Sequence, residues 1–409
     1  MQNMLEDTLT LVLAGGVGSR LSPLTNERAK PAVPFGGKYR IIDFTLANCV
    51  HSGLRRLLVL TQYKSHSLQK HLRDGWSIFN PELGEYITSV PPQMRTGDDW
   101  YSGTADAIYQ NIYLLERSEA KYVVVLSGDH IYRMDYAPII KQHVERNAEL
   151  SVACMEVDIK QASDFGVMDI DKQQRIRAFT EKPENPIGSA DNPGAALVSM
   201  GIYVFSMELL IEALRVDHDN SSSSHDFGKD IIPSLIDKHA VYAHKFGGSE
   251  GRVSQDCYWR DVGTIDAYYE ANMDLLQPVP PIDLYQEDWP IRTHQQQWPP
   301  ARTVPGLLGN EGIFINSIVA GGTIIAGGSV QESILFPRVF IGDEAFVERS
   351  LLFEGVKVGD GAHLKSCIVD KNVEIPAGTK IGFDSELDKQ RFTVSDAGIV
   401  VIPKGYVFD

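Results

Sequence analysis

The chain has 409 residues, 43% apolar and 22% charged, enough for two or three domains each with its own core. Acidic residues outnumber basic ones, 54 to 38, and the net charge of −16 argues against nonspecific binding to nucleic acid or to an anionic membrane. An anionic substrate would therefore have to be met by local basic residues.

The opening MQNMLEDTLTLVLAGG lacks the basic region, apolar run and cleavage site of a signal peptide, and no apolar run approaches the ~20 residues of a membrane-spanning helix. A cytoplasmic location is expected. Cys49, Cys154, Cys257 and Cys367 are scattered without a CxxC pair, which reads as buried free thiols in a reducing compartment. Leu9–Ala14 reads as a strand, followed by the loop GGVGSR. Gly15, Gly16 and Gly18 remove Cβ atoms where backbone must approach a ligand, and a loop leaving a strand can turn N–H groups toward a phosphate. Arg20 offers a guanidinium fork, and Lys30, stiffened by the following proline, offers a point charge. The spacing matches neither GxxxxGK[ST] nor the full GxGxxG fingerprint.

RLLVLT at 56–61 and YVVVLS at 122–127 read as buried parallel strands, and 105–117 has helical apolar spacing. Alternating strands and helices imply an α/β sheet covered on both faces, with ligand loops at the C-terminal ends of the strands. Asp129 ends the YVVVLS strand and Asp261 lies in YWRDVGT, so the two could share one hard divalent ion. Seven prolines in 277–306 mark a connector, whose tryptophans suggest that it lies against a domain. From about 311 the chain repeats. SIV, SIL, SLL and CIV begin at 317, 333, 350 and 367, interleaved with VFIG, VKVG and VEIP at 339, 356 and 373. That period predicts a parallel β-helix of about four turns, and the expected division is 1–276, 277–310 and 311–409.

LAGGVGSRLSPLT and AKPAVPFGGKYRIIDF resemble the signature of the sugar-nucleotide pyrophosphorylases. TQYKSHSL, WYSGTADA, SGDHIY, FGVMDID, FTEKP, SMGIYVF, SHDFGKDIIP and YWRDVGTIDAYY extend the likeness to the bacterial ADP-glucose pyrophosphorylases of that family. The resemblance spans nearly the whole chain. It implies a Rossmann-like, GT-A-like nucleotidyltransferase sheet, then a left-handed parallel β-helix with regulatory and oligomerisation roles. It also implies a homotetramer, the substrates ATP and glucose 1-phosphate, and Mg²⁺.

Residue by residue, the resemblance implies that Gly15, Gly16 and Gly18 wrap the ATP phosphates while Arg20 and Lys30 neutralise them. Gln62 and Trp100 lie near the nucleotide. Tyr101, Gly166, Glu181, Lys182, Ser199, Tyr203, Asp226 and Trp259 meet glucose 1-phosphate, and Asp129 and Asp261 hold Mg²⁺. Arg28 and Arg40 belong to an effector site for an anionic metabolite. Many relatives carry basic residues where this chain has Val17 and Glu27, and several have histidine in place of Pro34. Two readings follow. Either the response to fructose 1,6-bisphosphate is altered, weak or absent, or the pocket has shifted onto Arg28, Arg40 and solenoid residues such as Lys365. Other readings are transfer of another nucleotide, a non-catalytic regulatory subunit, and acyl transfer by the β-helix, where His363 is the sole histidine between 311 and 383.

Overall fold

The side chains of TLTLVLA alternate between two cores. Leu9 and Leu11 join one apolar cluster while Val12 and Ala14 join another, so this strand must lie inside a sheet covered on both faces. A computed structural model describes residues 2–93, 100–189, 192–247, 257–307 and 309–408. Its first sheet contains β1 (Thr8–Ala14), β2 (Arg56–Thr61), β3 (Tyr86–Val90), β4 (Tyr122–Ser127), β5 (Leu150–Asp158), β6 (Gly166–Ile170), β7 (Ile176–Glu181), β8 (Ala195–Ser206) and β9 (Val241–Lys245). The order is β7-β6-β8-β4-β1-β2-β3, with β5 also on β8 and β9 beside β5. β4, β1, β2 and β3 are parallel, which makes the arrangement Rossmann-like. Ile41–His51 and His66–Trp76 cover one face, and Thr104–Tyr109 and Met207–His218 the other.

The segment 105–117 is not one continuous helix. It breaks into Thr104–Tyr109 and Ile112–Glu116. At the break, the Asn111 side chain donates to the Ala107 carbonyl at 2.9 Å, while its backbone N–H reaches only to Ile108. A side chain taking the i−4 acceptor tightens the turn and ends regular α-geometry.

The C-terminal part is built from three sheets of short strands, five, five and six in number, parallel except for the last pairing. This is consistent with a left-handed parallel β-helix. The first rung, Arg302–Val304, already pairs with Ile324–Ala326, inside the stretch that reads as a connector. The stretch before it is packed as well as irregular. Trp289 is fully buried, and its Nε1 donates to Asn48 Oδ1 at 3.1 Å. The solenoid joins the sheet domain through Ile334, Phe336, Leu351 and Phe353, which share one apolar cluster with the Ile41–His51 helix. Among the described residues no helix is long and apolar enough to cross a membrane. Three cysteines are buried free thiols, but Cys257 is exposed because it lies in an irregular segment just before the short strand Trp259–Asp261.

Candidate active site

Where β1 ends, the chain leaves the sheet through Gly15–Gly18 and enters a short turn, Ser19–Leu21. The glycines are needed for different reasons. Gly18 has φ 64°, and a Cβ there would meet Lys30 Cβ and Thr25 at 3.1 Å. A Cβ on Gly15 would press on Gln62 at 3.1 Å, whereas Gly16 faces open space. The loop forms one wall of a cavity of about 530 Å³, whose lining includes Arg20, Lys30, Gln62, Tyr101, Asp129 and Asp226.

Asp129 follows β4. Asp261 arrives from far along the chain because Trp259–Asp261 pairs antiparallel with His130–Tyr132, with Asp261 opposite His130. The Lys30 ammonium lies between the two carboxylates, 2.8 Å from Asp129 Oδ2 and 2.9 Å from Asp261 Oδ1. Burial works against its charge, but Asp129 and then Asp261 hold its pKa above the ordinary lysine value. Asp129 is pushed up by burial, yet Lys30 and then His130 outweigh that and keep it well below the usual carboxylate range. Ser127 also donates to it. Asp129, His130 and Asp261 each offer an atom, all within 4.8 Å of one another. Two carboxylates and an imidazole fit a divalent ion of the oxygen-preferring sort.

Of the residues expected to meet the sugar, Tyr101 and Asp226 line this cavity and the others lie outside its lining. Glu181 lies opposite Gly166 on the β6–β7 pair, and a Cβ on Gly166 would sit 2.7 Å from its carboxylate. Burial raises the Glu181 pKa, Lys182 lowers it and Asp226 raises it again. Lys182 has φ 46° and is largely exposed, its Nζ 3.8 Å from Glu181. Ser199 and Tyr203 flank the bulge of β8, with their hydroxyls 3.4 Å apart. Trp259 packs edge-on against His130 and Phe165, and its Nε1 is buried with no hydrogen-bond partner among the described residues. Asp226 caps Phe227–Ile231, accepting from Gly228 and Lys229, and also accepts from Thr104 while it faces the cavity. Tyr101 lies on the cavity wall, its hydroxyl held by Asn111 at 2.9 Å.

Gln62 donates to the Tyr101 carbonyl at 3.3 Å. Trp100 is off the cavity wall and half exposed, stacked on Tyr63 at 4.9 Å. Arg28 is buried against Asp370 at 2.9 Å. Arg40 donates to Ser67 and lines a separate cavity of about 530 Å³ between the sheet domain and the solenoid, together with Lys371 and Glu354. Lys365 is absent from that lining and pairs with Glu348.

Reasoning from the sequence missed His130, Thr104 and Gly263. His130 stands in SGDH beside Asp129, so its signal was adjacency. Gly263 follows Asp261 by two residues, and a Cβ there would lie 3.0 Å from both Arg20 Nη2 and Asp261 Oδ2.

A glycine loop under a basic pair, facing two carboxylates at the C-terminal edge of a Rossmann-like sheet, defines a nucleotidyl transferase. The family model described as nucleotidyl transferase matches residues 9–278, and one described as GlmU-like, C-terminal hexapeptide matches 299–402. The nucleotidyl transferase family generally uses a divalent metal. The chain is 67% identical to glucose-1-phosphate adenylyltransferase 2 of Vibrio vulnificus strain CMCP6, over 99% of this chain and 100% of the relative. It is 62% identical to the protein of that name in Vibrio cholerae, over 99% of each. It is 49% identical to glucose-1-phosphate adenylyltransferase of Nitrosomonas europaea, over 98% of this chain and 94% of the relative. The chain belongs to the glucose-1-phosphate adenylyltransferase family.

Proposed function

We propose that this chain transfers the adenylyl group of ATP to glucose 1-phosphate, releasing pyrophosphate and forming ADP-glucose for storage α-glucan synthesis. The observation that carries this is the convergence of the glycine loop, Arg20, Lys30 and Asp129 on one cavity, with Asp261 paired to Lys30 beside it. A phosphate oxygen of glucose 1-phosphate attacks the α-phosphorus. A new P–O bond forms, the bond to the bridging oxygen breaks, and its electron pair leaves with pyrophosphate. The nucleophile is already an anion near neutral pH, so no general base is needed, and catalysis is positioning plus charge stabilisation. The loop seats the phosphates, and Arg20 and Lys30 take up charge on the departing pyrophosphate. Asp129 and Asp261 would hold Mg²⁺, which offsets repulsion between the reacting phosphates. Glu181, Ser199, Tyr203 and Trp259 form the sugar pocket with Gly166, and Lys182 binds the sugar phosphate.

The interdomain cavity is the effector site in this reading, built on Arg40 and Lys371. Arg28 would act behind it, because Asp370 already holds its guanidinium. Glu27 is exposed and ion-paired with Lys404, so the charge reversal there is answered within the chain. These pairings favour a weak response to fructose 1,6-bisphosphate. The exposed apolar strand Ile313–Ile315 supports assembly into a homotetramer, and the buried free thiols support a cytoplasmic setting.

The test is the initial rate of pyrophosphate release from Mg-ATP and glucose 1-phosphate, with and without fructose 1,6-bisphosphate. Turnover that ignores the bisphosphate is expected. Strong activation would overturn the effector reading alone. Turnover with another nucleotide only would overturn the adenylyl assignment, and no turnover with any would favour a regulatory subunit.

A further inference from the structure

The proposed mechanism gives the Lys30 ammonium to the triphosphate, yet in the structure that ammonium is engaged elsewhere. It bonds Asp129 at 2.8 Å and Asp261 at 2.9 Å, and its side chain is only 9% exposed. An ammonium has three N–H donors, so one at most is left for a third partner. His130 flanks the same two carboxylates, with Nε2 3.6 Å from Asp129 and 4.0 Å from Asp261. Two converging carboxylates repel unless a cation lies between them. Lys30 is that cation.

We propose that Lys30 is a built-in placeholder for the divalent ion. Its ammonium and the ion compete for Asp129 and Asp261, so loading the ion is the event that frees Lys30 for the phosphates. This rests on the reading of Asp129 and Asp261 as metal ligands. The switch is local. Lys30 begins the turn Lys30–Ala32, whose backbone is stiffened by Pro31, so the four-carbon stem alone has to swing. The glycine loop is close by, since Gly18 backs directly onto Lys30 Cβ. A free ion must displace the ammonium with nothing offered in return. An ion arriving on a nucleoside triphosphate brings phosphate oxygens that accept the ammonium as it leaves. Lys30 therefore discriminates in favour of the metal–nucleotide complex over the free ion.

The experiment titrates Mn²⁺ alone into the full-length protein and counts free Mn²⁺ by electron paramagnetic resonance. Lys30→Met is expected to bind Mn²⁺ at least about tenfold more tightly than wild type, because a competing cation has gone. Lys30→Met/Asp129→Asn should lose that gain. Unchanged or weaker binding by Lys30→Met, with Asp129→Asn still lowering Mn²⁺ affinity, overturns the competition and leaves the metal site standing. Binding to Lys30→Met that ignores Asp129→Asn overturns both. A second measurement uses wild type and does not depend on the folding of any variant. Acetic anhydride labelling of Lys30, read by peptide mass, should rise several-fold when Mn²⁺ is saturating. Unchanged labelling with Mn²⁺ bound overturns the proposal.

Discussion

Asp129, Lys182 and Gly263 separate three kinds of contribution to one reaction. Asp129 is held ionised by Lys30 and His130, so its charge is available to a metal ion throughout the neutral range. Asp129→Asn keeps the shape and removes the charge, and should lower kcat by about a hundredfold or more in the pyrophosphate-release assay. Lys182 is exposed and only loosely tied to Glu181, as suits a residue waiting for a phosphate. Lys182→Ala should raise KM for glucose 1-phosphate about tenfold or more while leaving KM for ATP nearly unchanged. A changed ATP requirement would remove Lys182 from the sugar phosphate. Gly263→Ala places a methyl group 3.0 Å from both Arg20 and Asp261, and should cost about tenfold in kcat/KM without lowering the melting temperature.

At the scale of the element, β5, β9 and the helix Ala137–Glu145 meet around two histidines. His143 lies against Ser151 of β5 and Ser206, and burial alone pushes its pKa down to about 4. His244 of β9 donates from Nδ1 to Gln142 Oε1, and burial, then Arg146, push its pKa down to about 4 as well. The folded state therefore resists a proton that the unfolded chain takes up near pH 6.5. Stability is full above that value and is lost as pH falls toward 4, by about 3 kcal/mol for each histidine. Urea midpoints should fall between pH 7 and pH 5, and the fall should be smaller in His143→Gln. A midpoint independent of pH in wild type would mean that neither ring is held neutral.

At the scale of the whole molecule, a buried ion pair joins distant parts of the chain alongside the apolar cluster they share. Arg28, just before the turn Lys30–Ala32, and Asp370, in the solenoid, form a buried ion pair at 2.9 Å, and Arg28 Nη1 has no hydrogen-bond partner among the described residues. Removing one member leaves the other charged and buried. Asp370→Ala should cost about 3–5 kcal/mol in denaturant unfolding, whereas Arg28→Met/Asp370→Leu should cost far less. If the single and the double variants unfold alike, the pair does not couple the solenoid to the sheet. The exposed pair of Glu27 and Lys404, also across the two parts, is open to solvent and should contribute little to stability.

The strands TLTLVLA, RLLVLT and YVVVLS, the glycine loop and the seventeen-residue ladder were all legible in the sequence, because each is a local pattern with its own period. Local pattern also marked Arg20 and Lys30 as phosphate partners and Asp129 and Asp261 as candidates to share an ion, and resemblance assigned those roles to one reaction. What no local pattern carried was partnership. The short ribbon joining His130–Tyr132 to Trp259–Asp261 brings the two aspartates together, and its pairing spans residues far apart in the chain. The first solenoid rung at Arg302–Val304 and the burial of Trp289 depend on neighbours that only folding supplies. Sequence by itself determined which residues could bear charge, turn or pack. Tertiary structure alone decided that Lys30 would rest on two carboxylates, because charges compensate by distance in space and not by distance along the chain.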